Sequence, residues 1–139
     1  MRDGVPTSLT SHSFDEKYEP KKPRVLVVED EAMVAMQTED MLVDLGFEVA
    51  AIASSLEEAL KRSSVADFDV AVLDVNLRGE KVFPVAEALL ALQIPFVFTT
   101  GYGVGGVRED LRHAPVIVKP FSAPELQQKL KEVMDRRSS

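Results

Sequence analysis

The feature that most constrains this chain is a series of short apolar runs alternating with stretches of helical spacing. Val25-Leu26-Val27-Val28 is a largely β-branched run with no polar alternation, the mark of a strand covered on both faces. Val34, Thr38, Met41, Leu42 and Leu45 then recur at helical spacing, and Gly46 stands where a helix end favours positive φ. Phe47–Ala53, Phe68–Leu73, Pro95–Thr99 and Ala114–Val118 read as four further strands. Ser55-x-x-Glu58 is a capping box ahead of a helix expected to bury Leu56, Ala59 and Leu60. Pro84 suits the first turn of a helix with Val85, Ala88, Leu89 and Leu92 inward. Ser122-x-x-Glu125, with Pro124 inside it, opens a last helix with Leu126, Leu130, Val133 and Met134 inward. The order is βαβαβαβ, then a Gly-rich stretch with room for a short helix at most, then βα. Such alternation predicts an α/β domain whose parallel sheet is covered on both faces.

Composition removes other classes. The chain has 139 residues, suited to one domain. Residues 1–23 show no apolar periodicity and read as a flexible N-terminal arm, leaving 24–137 as the folded domain. Zero cysteines exclude a disulfide framework, a thiolate metal site and a cysteine nucleophile. Sixteen basic against 23 acidic residues argue against a nucleic-acid partner. No apolar run reaches the ~18 residues of a membrane span. The expectation is a cytoplasmic domain that binds neither nucleic acid nor membrane, as a monomer or weak dimer.

The polar residues gather where each strand should end. Glu29-Asp30-Glu31 follow the first strand, Asp74 the third, Thr99-Thr100-Gly101 the fourth and Lys119-Pro120 the fifth. In an open parallel sheet, ligands bind beyond the carboxyl ends of the strands. Three carboxylates converging there repel one another unless positive charge lies between them. One divalent cation together with Lys119 neutralises Glu29, Asp30 and Asp74. An oxygen-only donor set selects a hard ion, so Mg²⁺ is expected, with Mn²⁺ as its substitute. A carboxylate beside a Lewis acid, a lysine and a hydroxyl is equipped to accept a phosphoryl group.

Val25–Glu31 (VLVVEDE), Leu73–Leu77 (LDVNL), Thr100 and Lys119-Pro120-Phe121 (KPF), in this order, resemble the receiver domain of two-component response regulators. The resemblance implies a flavodoxin-like (βα)5 three-layer sandwich with strand order 2-1-3-4-5. It implies Asp74 as the phosphoacceptor, with Mg²⁺ on Asp30, Asp74 and the backbone carbonyl of Asn76, and Glu29 as an outer ligand through water. Thr100 would donate to the phosphoryl group, Lys119 would pair with it, and the Lys119–Pro120 bond would be cis. Phosphate would come from a histidine kinase or a phosphotransfer protein, making the chain a signalling domain and not a turnover enzyme.

The strand-five position that usually bears a Tyr or Phe switch is Val116. Phe98-Thr99-Thr100-Gly101-Tyr102 instead resembles the FAT GUY subgroup, with Thr99 where Ala is usual. That subgroup implies a single-domain regulator served by a kinase of the HWE or HisKA2 type, with Gly101 and Tyr102 as switch elements.

Two other classes stand beside this reading. One is an enzyme: a Mg²⁺-dependent phosphohydrolase or a nucleotide- or flavin-binding α/β protein. Gly101-Tyr102-Gly103-Val104-Gly105-Gly106 formally matches G-x-G-x-x-G, but too few residues precede the next strand for a dinucleotide crossover helix. The other is an interaction module with a dead site, although no required site residue is missing. His12 and His113 are isolated, and Met33, Met36 and Met41 at helical spacing read as core packing plus a surface contact.

Overall fold

A computed structural model describes residues 21–138. The expected arm falls mostly on residues 1–20, outside the described residues. The elements run β1 (Arg24–Val28), α1 (Ala32–Asp44), β2 (Glu48–Ala53), α2 (Leu56–Val65), β3 (Val70–Asp74), β4 (Asn76–Leu77), β5 (Glu80–Lys81), α3 (Phe83–Ala91), β6 (Phe96–Thr100), β7 (Val116–Val118) and α4 (Ala123–Ser138). Five strands form one parallel sheet in the order β2-β1-β3-β6-β7, while β4 and β5 form a separate hairpin. Counted within the sheet alone, the order is 2-1-3-4-5, that of a flavodoxin-like α/β sandwich.

The central strands have two buried faces, which is why they carry unbroken apolar runs. Alternate side chains serve different cores. Leu26, Val28, Ala71, Leu73, Phe96 and Phe98 join Ala59 of α2 and Val85, Ala86 and Leu89 of α3. Val25, Val27, Val70, Val72 and Val97 join Leu42 of α1 and Leu126, Leu130 and Val133 of α4. Each fully buried Val, Leu or Phe contributes about 1.5–3 kcal/mol. Phe98 anchors the first core, meeting Phe96 and Phe83 edge-on at centroid distances of 5.3 and 6.1 Å.

Helix starts follow the local chemistry. Ser55 Oγ accepts from the Glu58 amide at 3.1 Å. Glu58 reaches one residue further back than a capping box requires, accepting from the Ser54 amide at 2.6 Å. Ser122 and Glu125 make the reciprocal pair, at 3.3 and 3.1 Å. Gly46, with φ of 95°, follows the end of α1.

Several packing expectations are corrected. Leu60 is exposed, and Ser63 lies inward one turn after Ala59, its hydroxyl donating to the Ala59 carbonyl at 2.8 Å. Leu92 is exposed because α3 ends at Ala91 and the chain reverses through Gln93 at φ 59°; Ile94 is buried instead. The methionine set divides between core and surface as expected: Met41 packs against the core, Met33 and Met36 are 74% and 60% exposed, and Ala35, Thr38 and Leu42 form the buried stripe of α1. Between β6 and β7 stand two 3-10 turns, Val104–Gly106 and Glu109–Leu111, within the room for a short helix at most that the order leaves. Among the described residues no helix is long and apolar enough to cross a membrane.

Candidate functional site

The carboxyl edge of the sheet gathers the polar residues because each directly follows or ends a paired strand. Glu29 extends β1, its amide donating to the Ala53 carbonyl at 3.0 Å, and it is buried. Asp74 ends β3 and is buried, held in register with Thr99 of β6. Thr100 ends β6, and its carbonyl accepts from the Lys119 amide at 2.8 Å, which seats Lys119 beyond β7. The expected cis peptide is present at Lys119–Pro120.

Lys119 Nζ is the central cation, 2.8 Å from Glu29 Oε1 and 3.2 Å from Asp74 Oδ2. Glu29 Oε2 accepts from the Glu31 amide at 3.2 Å. Half-buried Asp30 accepts from the Arg78 amide at 3.0 Å. Oxygens of Glu29, Asp30 and Asp74 all lie within 4.8 Å of one another.

Burial dominates the electrostatics. Desolvation pushes the Glu29 carboxyl up to about 7, with the Asp74 charge adding to it and the Lys119 and Glu31 donors opposing it. Desolvation also raises Asp74, against the pull of Lys119 and an amide donor from Asn76. Burial works against the Lys119 charge, but the Glu29 hydrogen bond and the nearby Asp74 carboxylate outweigh it, and its pKa is raised. One ammonium cannot compensate three carboxylates. A hard divalent cation accepting oxygen donors matches what the cluster lacks, so these residues fit Mg²⁺.

Thr100 is buried at the same edge, and its Oγ1 accepts from the Tyr102 amide at 3.0 Å. Gly101 is exposed, and the Tyr102 side chain is 84% exposed. Asn76 is exposed, and its backbone amide favours the ionised form of Asp74. Thr99 is buried within the strand, as its position one residue back implies. The glycine-rich segment makes a three-residue 3-10 turn and opens no long helix, which removes the dinucleotide reading. His113 is exposed with its ring 6.4 Å from that of Phe96, and His12 lies outside the described residues.

Sequence reasoning missed the hairpin that carries Arg78 over Asp30. The signal for it is slight: an Arg78-Gly79 turn, with buried Val75 and Val82 flanking the two-residue arms. It also missed the Arg108 clasp, whose guanidinium meets Glu87 of α3 and Asp110 at 2.7 Å each and lies 5.6 Å from the Phe83 ring centroid.

Residues 25–131 match the family model described as the response regulator receiver domain. The chain belongs to that family. Receiver domains are signalling modules that bind Mg²⁺ at an acidic pocket, and this chain presents such a pocket at Glu29, Asp30 and Asp74. The transcriptional regulatory protein PdtaR of Mycobacterium tuberculosis is 30% identical over 107 residues, covering 74% of this receiver and 52% of PdtaR. The sensory transduction protein LytR of Staphylococcus haemolyticus is 26% identical over 120 residues, with 84% and 47% covered. The chain thus spans about half the length of these curated relatives.

Among solved structures, SdrG from Sphingomonas melonis Fr1 is 41% identical with a TM-score of 0.74, covering 81% of this receiver and 97% of that chain. The BeF3-activated conformation of SdrG from Pseudomonas melonis Fr1 is 40% identical with a TM-score of 0.70, covering 80% and 95%. The receiver domain of PhyR from Erythrobacter litoralis shares the fold at 23% identity, with a TM-score of 0.72 and coverage of 85% and 94%.

Proposed function

We propose that this receiver takes a phosphoryl group onto Asp74 from a phosphohistidine of a histidine kinase or a phosphotransfer protein. The observation that carries this reading is Lys119 Nζ lying 3.2 Å from the buried Asp74 Oδ2, in a cluster of three carboxylates. An Asp74 carboxylate oxygen forms the new bond to phosphorus while the phosphorus–nitrogen bond to the imidazole breaks, its electron pair staying on nitrogen. Asp30, Asp74 and the Asn76 carbonyl would hold Mg²⁺, with Glu29 reaching it through water. Bound there, the ion neutralises charge on the transferring phosphoryl oxygens. Lys119 supplies the second positive charge, and Glu29 holds that lysine in place through its 2.8 Å contact.

Thr100 is the chain's own sensor in this reading. Its hydroxyl accepts the Tyr102 amide, so turning toward a phosphoryl group on Asp74 exchanges one partner for another. The cost falls on the Gly101–Arg112 segment, with Tyr102 as the moving aromatic in place of the Val116 position. Rearranging that segment changes affinity for a protein partner, or the domain passes phosphate on or drains it from a kinase. The FAT GUY resemblance supports a kinase of the HWE or HisKA2 type as donor. BeF3, the activating group in the second SdrG structure, mimics a phosphoryl group and supports the same chemistry.

Intact mass after incubation with Mg²⁺ and a small acyl-phosphate donor tests the proposal. One added phosphate in the wild type and none in Asp74→Asn is the expected pair. Equal labelling of both proteins contradicts it.

A further inference from the structure

We propose that the β4–β5 hairpin is the positioning element of the acidic site, its register set by the Arg78-Gly79 turn. This inference rests on the Mg²⁺-dependent reading above.

The hairpin is anchored at its base and tied at its tip. Leu77 and Val82 are buried in the core shared by α2 and α3, and the Val82 amide donates to the Val75 carbonyl at 2.9 Å. Asn76 stands opposite Lys81 and Leu77 opposite Glu80. Hydrogen-bonded pairs alternate along an antiparallel ladder. With Val75 bonded to Val82, the next bonded pair is Leu77 with Glu80, and Asn76 falls between them. The amide and carbonyl of Asn76 therefore point away from Lys81. That edge lies toward Asp74, whose carboxyl the Asn76 amide helps to hold ionised. In an extended residue N–H and C=O lie on the same edge, so the carbonyl also faces the crown. At the tip the Arg78 amide donates to Asp30 Oδ2 at 3.0 Å. One hairpin thus orders Asp74, Asp30 and the Asn76 carbonyl together. A register slip of one residue turns the Asn76 carbonyl inward toward the partner arm.

The turn fixes that register. Arg78 has φ of 52° and Gly79 φ of 88°, the positive values at both central positions that a type I′ turn requires. Arg78 holds this conformation without being glycine, asparagine or aspartate, the residues that adopt it at least cost. A Cβ placed on Gly79 meets nothing within 4 Å, so substitution there acts through backbone conformation and not through a clash.

The test is calorimetric titration of the full chain with MgCl2 alone, for wild type, Gly79→Val, Gly79→Asn and Arg78→Gly. Valine is disfavoured at positive φ, whereas asparagine and glycine accept it. Gly79→Val is expected to weaken Mg²⁺ binding about tenfold, while the other two variants stay within about twofold of wild type. Wild-type affinity in Gly79→Val overturns the inference. Amide exchange on the wild type keeps the question decidable if that variant does not fold. The Arg78 amide should exchange about tenfold faster in metal-free Asp30→Ala than in the metal-free wild type, as expected for a donor that has lost its acceptor. Equal rates overturn the inference. A wild type that binds no Mg²⁺ contradicts the proposed function as well, whereas a binding wild type with an equally tight Gly79→Val contradicts the hairpin's role alone.

Discussion

The Tyr102 amide donates a 3.0 Å hydrogen bond to the side-chain oxygen of Thr100. Thr100 is buried at the edge of the acidic cluster, while the Tyr102 ring is exposed. One bond therefore couples the chemistry of the crown to a surface aromatic. A Cβ added at Gly106 would stand 3.6 Å from the same hydroxyl. In the proposed function, a hydroxyl that turns toward phosphate gives up the Tyr102 amide.

The coupling is measurable by amide exchange. A beryllofluoride adduct should change protection across residues 101–112 in the wild type and leave it unchanged in Thr100→Ala, which still accepts the adduct. Equal responses in the two proteins would falsify the coupling. Arg108→Ala should speed exchange within Glu109–Leu111 and leave Val70–Leu73 untouched, because Arg108 ties that segment to Glu87.

Lys119 is expected to matter more for chemistry than for folding. Lys119→Met removes the only lysine that meets both Glu29 and Asp74 among the described residues. Phosphoryl transfer should fall by about a hundredfold or more, as when one preorganised charge-stabilising group is lost. Stability should drop by about 1–3 kcal/mol at pH 8, with less loss at pH 5, where Glu29 is protonated. Denaturant titrations at the two pH values check the difference; an equal loss at both contradicts it.

Stability of the metal-free protein should fall as pH rises. Burial lifts the Glu29 carboxyl to about 7 from an ordinary value of 4.5, and Asp74 is raised too. A folded-state pKa above the unfolded one means that the native state holds the extra proton. The stabilisation from that proton is complete below the unfolded pKa and is lost as pH climbs from about 4.5 through 7. Mg²⁺ competes for the same oxygens, so its affinity should increase over that window. Melting temperatures from pH 4.5 to 8 with and without MgCl2 should diverge with rising pH; parallel curves would count against this electrostatic account.

Asp74→Asn should stabilise the metal-free protein at neutral pH by about 1–2 kcal/mol, since it removes a buried charge from a crowded anionic site. The same variant should lose most of its response to Mg²⁺. Chemical denaturation with and without the ion reads both effects, and a destabilised variant with a full Mg²⁺ response contradicts them.

Much of this was legible in the chain before its fold. Strands covered on both faces leave continuous runs such as Val25–Val28, and capping pairs such as Ser122 with Glu125 punctuate the helices. The convergence at this candidate site was legible because Glu29, Asp30, Asp74, Thr100 and Lys119 each stand at a strand end, where β-α alternation brings them together. Asn76 was placed by family likeness alone, since a backbone carbonyl leaves no trace in residue identity. The hairpin was not read because two-residue arms are too short for alternation to show. Leu60 and Leu92 were misplaced for a different reason: apolar spacing ignores where a helix stops and how small a residue the neighbouring sheet will accept. Ser63 lies inward because its hydroxyl finds the Ala59 carbonyl within its own helix.

Locating the phosphate is the most direct test of the central claim. After incubation with a phosphorylated histidine kinase domain and Mg²⁺, borohydride reduction converts an aspartyl phosphate to homoserine at the modified position. Peptide mass analysis should find that conversion at Asp74 and at no other carboxylate. Conversion at Asp30 or Glu29, or none under conditions that discharge the kinase, would contradict the account.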